Sequence, residues 1–295
     1  MSDFSTLAGN ATKITARGFG WTHAGRKQPA LADIDLVIEP GERVLLCGNS
    51  GSGKSTLLAA MAGVLGSDEE GTRTGEILLE DSTGMVEEPG RSIPVGLVLQ
   101  DPDSQVISAR VGDDIAFGCE NLAYPREEIW RRVAAAKELV GPFVPLDFPT
   151  ERLSGGQKQR LALAGVIAMG AGVVLLDEPT ANLDPAGARD VVRAVSRLVE
   201  ETGATLVVVE HQHAAWDGVL DRAVELDHGR IVADTSFAEV AQRRQVSGLP
   251  QARRLSEAEL AQRDAALWST DLVTRYGPPR TIALPAGAST VITGP

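Results

Sequence analysis

Two kinds of apolar pattern alternate along the first 240 or so residues of the chain. Continuous apolar runs, such as residues 173–176 and 205–209, predict strands that are buried on both faces of a sheet. Stretches with helical spacing lie between such runs, and we predict helices at residues 127–140, 157–169 and 185–201. Because buried strands alternate with helices, we expect an α/β fold built on a mainly parallel sheet.

The N-terminal part has a different pattern. Residues 14–21 and 31–38 predict paired strands of an antiparallel β-subdomain, and the second run ends with apolar residues at every other position. Further strands are predicted at residues 75–79 and 95–99. The pattern from about residue 101 to residue 170 is helical, which indicates a helical subdomain.

The apolar pattern and the composition also predict where the domain ends. A helical stretch at residues 214–220 comes after the last buried strand run. After about Gln242 the composition becomes polar, which is typical of a linker. We therefore predict one domain over residues 1–245 and a linker over residues 246–265.

Composition and charge narrow the class of protein. The chain has 295 residues, 43% of them hydrophobic, and its 28 basic and 40 acidic residues give a formal charge of −12. Such a charge opposes nonspecific binding to nucleic acid, so we expect no nucleic-acid partner. No apolar run has the length that spans a bilayer, residues 1–4 do not begin a secretory signal, and two cysteines give no disulfide framework. We therefore expect a cytoplasmic protein.

One stretch has glycines, a lysine and a hydroxyl group at the spacing that lets a backbone wrap around a nucleoside triphosphate. It lies between a predicted strand at residues 44–47 and a predicted helix at residues 57–61. The glycines let N–H groups converge on an anion, and the helix adds its positive dipole end. Lys54 can reach the β- and γ-phosphates of a nucleoside triphosphate, and the Ser55 hydroxyl can bind Mg²⁺. The candidate nucleotide-binding residues of this phosphate loop are Gly48, Asn49, Ser50, Gly51, Ser52, Gly53, Lys54, Ser55 and Thr56.

Two acidic residues end the apolar run 173–176. A carboxylate at the end of a buried strand beside a phosphate loop is where Mg²⁺ has to be coordinated, and Asp177 is the candidate for that role. Glu178 is the candidate base that orients the attacking water. Paired acids are also common at solvated strand ends, but the phosphate loop in the same chain favours the catalytic interpretation.

A second glycine pair begins the helix predicted at residues 157–169. Ser154, Gly155, Gly156 and Gln157 offer a hydroxyl and two N–H groups at a helix start, which is a further anion site. The alternative is a helix cap with Ser154 as the capping residue. A chain with one phosphate loop has no local need for a second phosphate-binding helix end. An anion role therefore requires that this end face the nucleotide held by another domain.

With these motifs in order over roughly residues 13–240, the chain resembles the ATP-binding cassette (ABC) ATPases, which are P-loop NTPases. The resemblance implies ATP and Mg²⁺ as cofactors and ATP hydrolysis as the reaction. It also implies that residues 154–157, the signature segment of that family, complete the nucleotide site of an opposing cassette.

Individual roles follow from the same resemblance. Trp21 resembles the aromatic residue that stacks on adenine, where the family more often has Tyr. Gln100 resembles the glutamine that links Mg²⁺ and water to the transport partner, and His211 the switch histidine at the γ-phosphate. Residues 182–184 resemble the segment that contacts the opposing subunit. The implied catalytic residues are Glu178, His211 and Gln100, and the implied Mg²⁺ ligands are Ser55, Gln100 and Asp177. The histidines that match no motif, and that we expect to be surface polar groups, are His23, His213 and His228.

Two further strings are similar to the energy-coupling factor branch of the family, which drives uptake of vitamins and of cobalt or nickel. They cover residues 100–105 and 111–121. In the second string, Ile115, Ala116 and Phe117 lie among charges at the expected contact with a membrane subunit, although core packing is the alternative for Ile115 and Phe117. This resemblance implies integral membrane transporter subunits as partners and a peripheral location at the cytoplasmic face of the cell membrane.

The last thirty or so residues repeat the start of the domain. Residues 284–294 align without a gap with residues 38–48, so that glycines coincide at both ends of the match. Tyr276 would stand where Trp21 stands. We therefore expect residues 266–295 to be the truncated start of a second ABC ATPase domain, and the partner cassette to be either fused or a second copy. The alternative is a C-terminal extension with an accidental likeness.

Three other classes compete with an uptake ATPase. A soluble tandem cassette acting on ribosomes would be expected to carry a long basic linker, whereas residues 242–264 are short and mixed in charge. A chromosome- or repair-type cassette would need a long coiled-coil insertion between Gln100 and Ser154, and that interval is too short. An ABC exporter ATPase stays an alternative. Because selectivity would reside in a separate membrane protein, the sequence leaves the cargo open.

Overall fold

The computed structural model describes residue 7 and residues 11–66, 70–141, 144–211 and 213–246, together with the backbone of residues 265–272 and 280–285. The chain divides into two compact units, Met1–Arg243 and Arg244–Pro295. The strands are β1 Lys13–His23, β2 Leu31–Ile38, β3 Arg43–Gly48, β4 Gly71–Glu80, β5 Val86–Glu87, β6 Val95–Val98, β7 Val173–Asp177, β8 Thr205–Val209, β9 Arg222–Asp227, β10 Arg230–Ser236, β11 Ala265–Leu272 and β12 Arg280–Pro285. The α-helices are α1 Lys54–Ala62, α2 Val111–Asn121, α3 Arg126–Leu139, α4 Gly155–Met169, α5 Pro185–Thr202 and α6 Phe237–Val246.

The central sheet has six strands in the order β10-β9-β3-β8-β7-β6. The pairs β3–β8, β3–β9, β7–β8 and β6–β7 are parallel, and only the edge pair β9–β10 of this sheet is antiparallel. This confirms the predicted mainly parallel sheet. Since parallel neighbours end at the same edge, the loops after β3, β6, β7 and β8 meet there.

The N-terminal strands form a separate antiparallel sheet in the order β2-β1-β4-β5. Strand β1 pairs with β2 through Ile14↔Ile38 and with β4 through Ile14↔Leu79. The predicted antiparallel β-subdomain is therefore confirmed, with β4 starting at Gly71, four residues before the predicted strand.

Alternate residues of the central strands are buried on opposite faces of the sheet, as the pleat requires. One face joins α1 and the antiparallel sheet in a single apolar cluster, and the other face joins α2 to α5 in a second cluster. The strand residues on the first face include Val44, Leu46, Leu175, Val207 and Val209. Those on the second face include Leu45, Val174, Leu176, Leu206 and Val208.

The helical region contains one helix that the sequence analysis did not assign, α2. Its buried residues Val111, Ile115, Ala116 and Cys119 recur at helical spacing, but two glycines and two aspartates among them obscured the pattern. The expected membrane-subunit contact is wrong for Ile115 and Ala116, which are 0% and 1% exposed and belong to the core. Phe117 is 37% exposed on the same helix.

Other boundaries also differ from prediction. The stretch predicted as helical at residues 214–220 is a short 3-10 turn, His213–Trp216. Helix α6 continues to Val246, so the change to linker-like composition after about Gln242 does not end the regular structure. Residues 247–264, most of the predicted linker, lie outside the described residues, as do Tyr276 and residues 286–295 of the predicted second cassette.

Within the part of the chain that the structure describes, none of the helices combines the length and the apolar character needed to cross a bilayer.

Candidate active site

The phosphate loop joins the end of β3 to the start of α1, as predicted. Gly48, Gly51 and Gly53 have φ values of 138°, 78° and 105°, a region that side chains rarely enter. A Cβ at Gly48 would also lie 2.1 Å from the carbonyl oxygen of Leu226. The residue before α1 is Gly53, and no side chain caps the helix there. The first N–H groups of α1 are therefore left to a ligand.

Lys54 is buried at the base of this loop. Its ammonium donates to the carbonyl oxygens of Gly48 at 3.0 Å and Asn49 at 2.9 Å. An ammonium has three hydrogens, so one more is available for a phosphate oxygen. The Ser52 hydroxyl is buried without a hydrogen-bond partner. A buried cation, an unpartnered hydroxyl and an uncapped helix start together fit a triphosphate.

Asp177, at the end of β7, lies against the other side of the loop and accepts a hydrogen bond from the Ser55 hydroxyl. Burial raises the pKa of the Asp177 carboxyl, and the hydrogen bond from Ser55 partly opposes that shift. Among the described residues no group of three His, Cys, Asp or Glu side chains forms a metal site. A single carboxylate with a hydroxyl fits Mg²⁺, which proteins often hold with few side chains and the substrate phosphates.

Glu178 is held between two of the predicted site residues. Its Oε1 lies 3.0 Å from Nε2 of His211, and its Oε2 accepts a hydrogen bond of 3.1 Å from Nε2 of Gln100. The three side chains come from the loops after β6, β7 and β8, which the parallel sheet brings to one edge. The structure therefore assembles the predicted catalytic group Glu178, His211 and Gln100.

The backbone of Glu178 is in a conformation that non-glycine residues seldom adopt. Its φ is 48°, and its N–H donates to the carbonyl of Val209 at 2.9 Å, which ties the residue to the end of β8. Such strained positions are maintained by the surrounding structure and cluster at functional sites.

The segment that carries Gln100 is supported by side chains from two directions. Gln105 accepts from the backbone N–H of Leu99 at 2.9 Å and donates to the carbonyl of Leu97 at 3.2 Å. From α4, Lys158 forms an ion pair with Asp103. The second glutamine of the sequence string therefore extends the edge of β6, and the start of α4 is linked to the loop of Gln100.

The signature segment begins α4 with a complete capping box. The Ser154 side chain accepts from the N–H of Gln157, and the Gln157 side chain accepts from the N–H of Ser154 at 2.9 Å. Gly155 and Gly156 occupy the first turn next to Leu183. The capping role is thus present, and an anion role across a cassette interface stays a prediction.

Two aromatic assignments differ from expectation. Trp21 is 4% exposed, packs against Gly71 and donates from Nε1 to Nδ1 of His23 at 3.1 Å. Its ring is therefore not open to a base in this structure, so the geometry does not favour the predicted adenine stacking. The expectation that His213 is a surface group is wrong, since it is 6% exposed and its ring is bonded to the carbonyl of Glu210 at 3.1 Å. His23 and His228 are exposed as expected.

Glu210 and its partner Thr180 were not among the predicted site residues. Glu210 comes directly after β8, is 4% exposed and bonds to Thr180 and His211. The signal was available, because an acid after an apolar strand is the feature that identified Asp177.

Comparison with known proteins agrees with this geometry. Residues 31–181 match the sequence model of the ABC transporter family. The chain is 39% identical to a putative ABC transporter ATP-binding protein of Methanosarcina acetivorans over 76% of this chain and 35% of that protein. It is also 39% identical to the energy-coupling factor transporter ATP-binding protein EcfA1 of Caldanaerobacter subterraneus, over 73% of this chain and 76% of that protein. The chain thus spans about a third of the length of the first relative.

Solved structures show the same fold. The cbiO1 protein of Clostridium perfringens, described as part of the ABC transporter complex cbiONQ, superposes with a TM-score of 0.67 at 31% identity, over 81% of this chain and 93% of that one. A dimeric ATP-binding cassette in a post-hydrolysis state with ADP and phosphate superposes with a TM-score of 0.63 at 23% identity, over 76% of this chain and 98% of that one. The chain belongs to the ABC transporter family and contains the P-loop ATPase domain of that family.

Proposed function

We propose that this protein hydrolyses ATP to drive a membrane transporter of the energy-coupling factor type. The observation that carries the proposal is the position of Glu178, between His211 and Gln100 and beside the phosphate loop. Activity in the purified protein is tested by phosphate release with Mg²⁺ and with excess EDTA. The proposal requires release that depends on the metal and on Glu178.

The residues divide the work of hydrolysis between them. Glu178 orients a water molecule for in-line attack on the γ-phosphate and accepts its proton. His211 and Gln100 hold the carboxylate, while Lys54 binds phosphate oxygens and stabilises the charge that develops on them. Ser55, Asp177 and Gln100 would hold Mg²⁺, which supplies further positive charge when bound.

A second cassette is part of the proposal. Two cassettes face head to tail, and the signature segment of each lies over the nucleotide on the other. The dimeric cassette with ADP and phosphate supports the pairing of two cassettes of this fold. Closure on ATP and opening after hydrolysis would move the helical region, residues 101–170, against membrane subunits at the cytoplasmic face.

We also propose that the partner cassette is fused, with residues 266–295 as its beginning. Strands β11 and β12 are antiparallel, as β1 and β2 are. Leu284 pairs with Leu267, and the residue that aligns with Leu284 in the first cassette, Ile38, pairs with Ile14. The antiparallel pairing of these strands supports a repeated first hairpin.

The proposed cargo is a vitamin or a transition-metal ion. Its support is the likeness to EcfA1 and cbiO1, whose descriptions name an energy-coupling factor transporter and a cbiONQ complex. Pull-down with the tagged protein against detergent-solubilised membrane proteins, ribosomes and DNA tests the partner class. Capture of integral membrane subunits supports the proposal, whereas capture of ribosomes would favour a soluble tandem ATPase and overturn it.

A further inference from the structure

Glu210 is a buried acidic residue placed between two loops of the site. It comes directly after β8 and precedes His211, and it is 4% exposed. Its Oε2 accepts a hydrogen bond of 2.9 Å from the backbone N–H of His211. Its Oε1 accepts from Thr180 twice, from the backbone N–H at 3.2 Å and from the side-chain hydroxyl.

These bonds join the loop after β7 to the loop after β8. The last residues paired between the two strands are Asp177 and Val209, so strand pairing does not fix the two loops that leave the sheet there. Beyond that pair, the N–H of Glu178 reaches the carbonyl of Val209, and the Glu210 carboxylate then bonds to Thr180. The carboxylate therefore continues the connection between the two strands past the end of the ladder.

The two loops joined by Glu210 carry the two groups whose distance matters most for the proposed chemistry. Glu178 lies two residues before Thr180, and His211 is the neighbour of Glu210. Their side chains meet at 3.0 Å. The Glu210 carboxylate thus bonds both to the loop that carries Glu178 and to the loop that carries His211.

A buried carboxylate is a costly way to fill space, because burial disfavours its charge unless donors satisfy it. Here each oxygen of Glu210 has a donor from a different loop, and hydrogen bonds to a charged group are stronger than neutral ones. A neutral amide cannot reproduce the arrangement. In either orientation, a glutamine would direct its NH₂ group at a backbone N–H, that of His211 or that of Thr180.

We propose that Glu210 is a positioning residue that sets the separation of Glu178 and His211 during hydrolysis. This inference rests on the proposed function, because it assumes that Glu178 activates water. Glu210 touches neither nucleotide nor water in this role. It acts through the backbone of His211 and through Thr180.

The first test uses Glu210→Gln, with Glu200→Gln as the matched control on the exposed surface of α5. A misplacement of reacting groups by about 1 Å can reduce turnover on the order of 100-fold. We expect kcat of Glu210→Gln to fall about 10- to 100-fold with KM for ATP within about twofold. Thr180→Ser, which keeps the hydroxyl, should retain activity, and Thr180→Val should lose part of it.

A second measurement needs no ATP hydrolysis. In the nucleotide-free protein, hydrogen exchange at the amide of His211 or of Thr180 should become at least about tenfold faster in Glu210→Gln, because one of these two N–H groups loses its acceptor. Amides of residues 206–208 serve as internal references. If wild type proves inactive, the proposed function fails, while this measurement still reports whether the link exists.

A third measurement asks whether Glu210 acts through His211. If it does, adding Glu210→Gln to His211→Ala should cause little further loss of kcat. Independent losses that multiply would overturn the proposal, as would unchanged kcat or unchanged exchange at both the His211 and the Thr180 amides. If Glu210→Gln lost ATP affinity and thermal stability along with kcat, the role of Glu210 would be purely structural, and this result would also overturn the proposal.

Discussion

Helices α1 and α4 begin in contrasting ways. Helix α1 begins after Gly53, which has φ 105° and provides no side-chain cap. Helix α4 begins after Ser154, whose capping box with Gln157 is complete within the chain. A start without a cap is a preformed anion site, whereas a capped start has satisfied one of its own donors.

The difference matches the proposed roles of the two ends. The α1 end lies beside Lys54 and the Asp177–Ser55 pair, so its own chain supplies the charges that a bound nucleotide needs. The α4 end offers Gly155 and Gly156 in its first turn and is linked to the loop of Gln100 by the Lys158–Asp103 ion pair. We infer that α1 binds nucleotide alone, while α4 contributes only when a second cassette supplies the nucleotide.

Replacing the candidate base should trap the state in which ATP is bound between the N-terminus of α1 in one cassette and the N-terminus of α4 in the other. In Glu178→Gln, water is no longer activated, so we expect turnover to fall on the order of 100- to 10,000-fold while ATP binding remains. In the presence of ATP a closed pair of cassettes should then accumulate, which gel filtration with light scattering detects. Near-normal phosphate release by this variant would refute the assignment of Glu178.

Lys54→Ala should weaken ATP binding at the N-terminus of α1 and leave the N-terminus of α4 unchanged. Loss of hydrogen bonds from a charged group to phosphate, at about 1.5–3 kcal/mol, corresponds to roughly 10- to 150-fold weaker ATP affinity. Titration with a fluorescent ATP analogue measures the effect in the single cassette. Lys27→Ala, at an exposed residue, is the control. Equal affinity in Lys54→Ala and wild type would contradict the assigned phosphate loop.

Ser154→Ala should distinguish the roles of the α1 and α4 N-termini most clearly. Loss of the cap should lower the free energy of unfolding by about 0.5–2 kcal/mol, as at other helix N-caps. Nucleotide affinity of the α1 site should stay unchanged, while ATP-dependent pairing and turnover decrease. Ser82→Ala is the control for loss of an exposed hydroxyl. A variant with reduced ATP affinity as an isolated cassette would show that the ends are not independent.

Local sequence signals predicted the α1 end and its neighbours well. A strand, a glycine loop and a helix succeed one another in the chain, so the phosphate loop was identified from adjacent residues. The grouping of Gln100, Glu178 and His211 was implied by the resemblance to a family, and the structure brings them together because β6, β7 and β8 are parallel and end at one edge of the sheet. The resemblance to a family supplied their roles.

The features that could not be predicted depend on packing at longer range. The burial of Trp21 results from its contact with Gly71 on β4, which no local pattern reports. Ile115 and Ala116 belong to the core because α2 packs against α4, and the same residues on an isolated helix would be exposed. The bond from Glu210 to Thr180 spans 30 residues of sequence and could not be predicted, although the acid itself follows an apolar strand in the sequence.

The smallest expected effect concerns the carboxylate that faces the α1 end. Burial raises the folded-state pKa of Asp177 above its ordinary value of 3.8, so its ionisation is disfavoured in the fold relative to the unfolded chain. This penalty grows as pH rises through the raised pKa and is absent below the unfolded value.

Asp177→Asn removes this penalty and keeps an acceptor for Ser55. In EDTA and without nucleotide, urea unfolding at about pH 7.5 should therefore show the variant to be more stable than wild type, and at about pH 3.5 no different. Lower stability of Asp177→Asn at the higher pH would mean that the carboxylate stabilises the α1 end even without metal, and the contrast with the self-capped α4 end would then be smaller than we infer.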